Sequence, residues 1–180
     1  MPDGDDGDEK GAEASFAGFV RSRWTPLVRL AYALTGDVAR AEDVVQDALA
    51  KLWPRWTRLR DENPDGYARR MVVNQAVSAG RPRWRRREVL TDRLPDRAAP
   101  GAGAQRFEQR EVLRQALAAL PPRQRAVVVL RVVEDLSEAQ VAQILGCSIG
   151  SVKAHTSRGL AALRAAHATH PALLDLEEIP

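Results

Sequence analysis

Residues 41–53, AEDVVQDALAKLW, carry two patterns on one helix. Val44, Val45, Ala48, Leu49 and Leu52 recur at helical spacing and fall on a side that a core would cover. At about 100° per residue, Asp43, Gln46, Asp47, Ala50 and Trp53 fall on the opposite side. A plain solvated helix rarely keeps a tryptophan there. That outer side reads either as a docking surface or as an ordinary wet face ending in a half-buried Trp53.

Helical periodicity continues outward in both directions from Phe16 onward, with no convincing strand-type alternation, so the chain reads as all-α. A first helix is expected over residues 14–34, closing at Gly36, with Phe16, Phe19, Val20, Leu27, Leu30, Ala31 and Leu34 as its core stripe and Pro26 as a point of kinking. The second starts near Asp37 and ends before Pro54. Asn63-Pro64-Asp65-Gly66 is a turn, and a third helix follows to about Ala79. Residues 91–105, TDRLPDRAAPGAGAQ, read as a flexible linker. Two small helical domains result, 15–90 and 106–168, their relative placement loose until a partner fixes it. Residues 169–180 form a C-terminal tail.

Composition narrows the class. The 180 residues, 44% apolar, are enough for real cores. No long apolar run and no signal-peptide pattern is present, so a cytoplasmic location without membrane insertion is expected. The lone cysteine, Cys147, excludes an internal disulfide and a multi-cysteine zinc site. Asp3, Asp5, Asp6, Asp8, Glu9 and Glu13 make residues 1–14 an acidic tail expected to be disordered. Without it the body is more basic than the formal charge of +3 suggests, which points to a polyanionic partner.

The second half holds a helix-turn-helix. Glu111 to Leu120 reads as a helix, and Pro122 opens the next, which runs to about Glu134. Ser137-Glu138-Ala139-Gln140 is a capping box, the helix after it stops at Gly146, and Ser148 caps the next. That last helix carries Ile149, Val152, Thr156, Gly159, Leu160 and Leu163 on its core side. Its other side holds Gly150, Ala154, Ser157, Arg158 and Ala161, flanked by Ser151, Lys153 and His155. Small residues there allow close approach to DNA, while Lys153, Arg158 and His155 have the reach for phosphates or base edges. The plainer reading is a solvated face.

Residues 67–87, YARRMVVNQAVSAGRPRWRRR, contain seven arginines and no acidic residue, with Tyr67 and Trp84 interleaved. Arginine forks suit phosphates and aromatic faces receive unstacked bases, so the segment suits nucleic acid. An unstructured basic connector is the alternative.

These segments resemble bacterial sigma factors of the extracytoplasmic-function group, within the sigma-70 family, over roughly residues 16–165. The helix over 41–53, with Leu30-Ala31 and Leu34-Thr35-Gly36-Asp37 before it, is similar to the family's core-binding region, which binds the clamp helices of the largest RNA polymerase subunits. The resemblance implies that Asp43, Gln46, Asp47 and Trp53 bind core polymerase. In the basic segment, Tyr67, Arg70 and Asn74 match family positions that recognise and melt the minus-ten element, and Trp84 and Arg85 are assigned there too. The family commonly has an aspartate where Ser78 stands, and Gly80 and Pro82 should interrupt the helix.

Residues 120–164 are similar to the family's promoter-reading region 4, a winged-helix-like helix-turn-helix for the minus-thirty-five element. Ser151, Lys153, Ala154, His155, Ser157 and Arg158 are the implied contacts. A Ser-Arg pair is common in the family where this chain has Ala154-His155, which removes a bidentate guanine contact.

The function expected is therefore a non-enzymatic adaptor that joins core RNA polymerase and directs it to promoters, melting DNA with its first domain. Partners are core polymerase and promoter DNA, and the resemblance also admits an anti-sigma factor. No catalytic residues, metal or cofactor are expected, since no metal-ligand cluster, phosphate-cradling loop or Ser/His/Asp arrangement is visible. A stand-alone helix-turn-helix regulator is the alternative, but it leaves the 41–53 helix and the arginine segment without a role.

Overall fold

The computed structural model describes residues 5–78 and 103–169. The first helix, α1 (Asp5–Thr35), runs without a break through Pro26. Proline removes one hydrogen bond of the helical ladder, but Leu27, Val28, Leu30 and Ala31 just beyond it are all buried and hold the helix in line. The acidic residues expected to be disordered form its first turns from Asp5 on. Carboxylates are favoured at a helix N-terminus, and Ala12, 2% exposed, ties this end to the core.

Gly36, with φ +72°, ends α1, and the Asp37 side chain accepts from the Arg40 amide to start α2 (Val38–Leu52). Ala41, Val44, Val45, Ala48, Leu49 and Leu52 of α2 are buried, as its periodicity requires. A 3₁₀ turn over Trp53–Arg55 leads to a short α3 (Trp56–Leu59), and α4 (Pro64–Ser78) follows. Helices α1, α2 and α4 pack on one another as the first half.

The second half starts earlier than the sequence suggested, with α5 (Gly103–Ala119) reaching into the expected linker. Next come α6 (Pro122–Val128), a π-helical segment Val129–Val133, α7 (Glu138–Leu145) and α8 (Ile149–Thr169). A single helix was expected from Arg123 to Glu134. Instead the Glu134 amide reaches back five residues to the Val129 carbonyl, and Asp135 takes φ +49° to turn the chain. No strand lies among the described residues, so the expected winged-helix likeness reduces to a helix-turn-helix without a wing there.

The halves are in contact. α1 packs on α5 and α6, and α4 on α6 and α7. The buried set is continuous across this junction, including Leu34 and Val73 on one side and Leu117, Leu120 and Val127 on the other.

Candidate promoter and polymerase interface

On α2, the buried stripe leaves Asp43, Gln46 and Asp47 exposed on the opposite face. The face is not wholly free of structure. Gln75 of α4 donates to Asp47 Oδ2 at 2.5 Å and accepts from Lys51 Nζ at 3.1 Å. Both contacts tie α2 to α4 beside Asn74. Nothing in the sequence pattern marked Gln75, because its partners lie on another helix.

Trp53 satisfies both readings of the outer face. Its ring lies 5.1 Å from that of Phe16, so it closes an aromatic cluster, yet it remains 38% exposed. Beneath it, Trp56 is buried, with centroids 5.1 Å from Phe16 and 5.0 Å from Phe19, and its indole N–H donates to Ser15 Oγ at 2.7 Å. Buried indoles keep such a partner because an unsatisfied N–H is costly. The end of α2 is therefore a firm ledge whose upper aromatic faces water.

On α4, Tyr67, Arg70 and Asn74 stand three and four residues apart and so share one line of the helix. Arg70 and Asn74 are exposed and Tyr67 is half-buried against the core. The helix itself opens on an Asn63 side chain that accepts from the Gly66 amide at 2.9 Å. Trp84 and Arg85 lie outside the described residues.

In the second half the helix-turn-helix is built as its punctuation foretold. Ser137 and Gln140 make both bonds of the capping box, and Gly146 adopts φ +61° to end α7. The Ser148 hydroxyl accepts from the Ser151 amide at 3.1 Å and pairs with the Ser151 hydroxyl at 2.9 Å. Ser151 is therefore engaged in the cap. Lys153, Ala154, Ser157 and Arg158 are exposed along α8. Lys153 pairs with Glu138 at 3.7 Å, and Arg158 Nε folds back onto the Ala154 carbonyl at 3.1 Å.

His155 is more enclosed than expected. It lines a cavity of about 70 Å³ with Arg123, Val127, Leu145, Cys147 and Ser151, and its Nδ1 is buried without a hydrogen-bond partner. Ile149, expected on the core side, is 46% exposed at the helix start, whereas Val152 and Leu163 are buried. Gly159 is placed on the core side for a steric reason: a Cβ built there would overlap Val128 Cγ2 of α6. No group of three or more His, Cys, Asp or Glu side chains is arranged to hold a metal ion among the described residues.

Residues 19–86 match the Sigma-70 region 2 model, and residues 110–163 the Sigma-70, region 4 model. The chain is 38% identical to the RNA polymerase sigma-E factor of Streptomyces coelicolor, over 86% of each. It is 32% identical to the ECF RNA polymerase sigma factor SigL of Mycobacterium tuberculosis, over 86% of this chain and 92% of the relative. Among solved structures it resembles the sigma factor RpoE in complex with the anti-sigma factor NepR from Bartonella quintana. That match has a TM-score of 0.63 at 22% identity, over 86% of this chain and 98% of the other. The chain belongs to the extracytoplasmic-function group of the sigma-70 family, and its function is that of a sigma factor, directing RNA polymerase to promoters.

Proposed function

We propose that this sigma factor docks on the clamp helices of core RNA polymerase through the exposed side of α2, with Asp43, Gln46 and Asp47 as polar contacts and Trp53 as the apolar one. The observation that carries this reading is the ledge itself: an indole held in place by Phe16 yet open to water, next to three exposed polar side chains. A rigid aromatic with little entropy left to lose is what an interface anchor requires.

Promoter reading is divided between the halves. Tyr67, Arg70 and Asn74, with Trp84 and Arg85 from the segment beyond α4, take the minus-ten element, and α8 takes the minus-thirty-five element through Ser151, Lys153, Ala154, His155, Ser157 and Arg158. Melting without a fuel requires tighter binding to the separated strand than to duplex. Capture of an extruded base by Asn74 and the aromatics offsets an unstacking cost of a few kcal/mol, and polymerase contacts supply the remainder. The adaptor itself makes and breaks no covalent bond and works in the cytoplasm; no described helix is long and apolar enough to cross a membrane. An anti-sigma factor is a further proposed partner.

Run-off transcription with core polymerase tests the reading. The Asp43→Ala/Gln46→Ala double variant should lose polymerase association and transcripts while its circular dichroism stays unchanged. Unchanged association would show that this face is merely wet. Promoter binding that needs no polymerase would favour a stand-alone regulator.

A further inference from the structure

Arg125 is a buried cation at the junction of the halves, 8% exposed. Its guanidinium is gripped by main-chain oxygens. Nη1 donates to the Leu34 carbonyl at 2.7 Å, and Nη2 to those of Ala118 at 2.8 Å and Leu120 at 3.1 Å. Leu34 lies in the last turn of α1 and Ala118 in the last turn of α5, where unpaired carbonyls concentrate partial negative charge. Burial pushes the Arg125 pKa down, and the nearby Arg40 adds to that. Two of the three bonds stay within the second half, and only the one to Leu34 crosses. Parting the halves therefore leaves Arg125 anchored and exposes a helix end that water can satisfy.

A second contact crosses elsewhere. Arg69 of α4 pairs with Glu134, just past the π-helical segment, at 3.0 Å, with both side chains mostly covered at 26% and 21% exposure. At the end of α1, Arg114 of α5 reaches the Gly36 carbonyl at 3.5 Å. Helix α4 thereby lies against α6 and α7, the elements that support the helix-turn-helix.

This placement conflicts with simultaneous promoter reading. Elements centred near positions minus ten and minus thirty-five lie roughly 85 Å apart at about 3.4 Å per base pair. Helix α4 has 15 residues and α8 has 21, so they span only about 22 Å and 32 Å. With α4 packed on α7, which itself packs on α8, the two reading helices cannot cover both elements.

We propose that the closed packing is an autoinhibited state, latched by Arg125 on the Leu34 carbonyl and by the Arg69–Glu134 pair, which must part before α4 and α8 occupy their promoter elements together. The inference rests on the promoter-reading function proposed above. The junction suits a switch. Its polar crossing contacts are few and resemble those of a transient interface.

Small-angle scattering of the full chain, without DNA or polymerase, tests the latch directly. Glu134→Arg sets like charges against each other and should raise the radius of gyration by several ångströms. Arg69→Glu/Glu134→Arg restores an opposite pair and should bring it back. Opening should also raise run-off transcription at limiting protein, by up to about tenfold if the open form is a tenth of the wild-type population. An unchanged radius in Glu134→Arg, or an expansion that the charge swap does not reverse, overturns the latch. Expansion with unaltered transcript yield overturns the autoinhibition. Failure of wild type and variants alike to bind polymerase counts instead against the docking function, because the scattering result needs no partner.

Discussion

Gly159 shows how one hydrogen atom sets the spacing of two helices. Alanine would improve helix propensity by about 1 kcal/mol. Its methyl group, however, would overlap Val128 Cγ2, and Val128 is 2% exposed and β-branched, with little room to rotate. Overpacking of this kind costs about 1–3 kcal/mol. Gly159→Ala should therefore lower stability by about 1 kcal/mol net, seen as a lower urea midpoint, and an unchanged or higher midpoint would show that α6 and α8 separate easily. The sequence placed Gly159 on the core side of its helix but could not name Val128 as the reason. Arg125 was less legible still. In PPRQRAVVVL it reads as one more solvated arginine, because its crossing partner is a main-chain oxygen 91 residues away that no side-chain pattern announces.

The elements most legible in the sequence are those whose ends are chemically marked. Ser137 with Gln140, Gly146 and Ser148 each specify a backbone geometry locally, and each is found where expected. Removing the Ser137 hydroxyl should cost about 1 kcal/mol, read from thermal unfolding of Ser137→Ala. The π-helical segment was not legible, since AVVVLRVV carries no marker that separates one helical pitch from another. On α8, exposure supports Lys153 and Arg158 as DNA contacts, although each is held by a local partner in the free protein. Those exposed bonds are weak and exchange readily for phosphates. Alanine at both positions should lower affinity for any DNA and flatten its dependence on salt by about one unit of slope per residue. A salt slope equal to wild type would remove both from the interface.

At the scale of the whole molecule, the unexpected feature is closure. The two described halves are all-helical as read, but nothing in either half alone predicts that they meet. Tyr32 reports on the junction. Burial, chiefly, raises its pKa, with the carboxylates of Glu111 and Asp37 adding to the rise and Arg114 opposing it. A phenol whose folded pKa lies above its unfolded value of about 10 contributes stability that is complete below that value and lost as pH rises through the folded one. Urea midpoints should therefore fall as pH rises above about 10, and Tyr32→Phe should flatten that limb. An identical fall in the variant would assign it to other groups. On the acid side, the hydrogen bond from Arg114 holds Glu111 below its ordinary value, so the stability of that pair is present above the ordinary carboxylate range and fades as pH drops through the folded pKa.

The way Arg125 is held has a consequence for genetics. Its crossing acceptor is a backbone carbonyl, which every amino acid at position 34 supplies equally. Alleles that release the restraint should therefore accumulate at Arg125, Arg69 and Glu134 and be missing at Leu34, even though Leu34 makes the closer contact. A selection for unrestrained transcription would return a one-sided map of an interface that is two-sided in space.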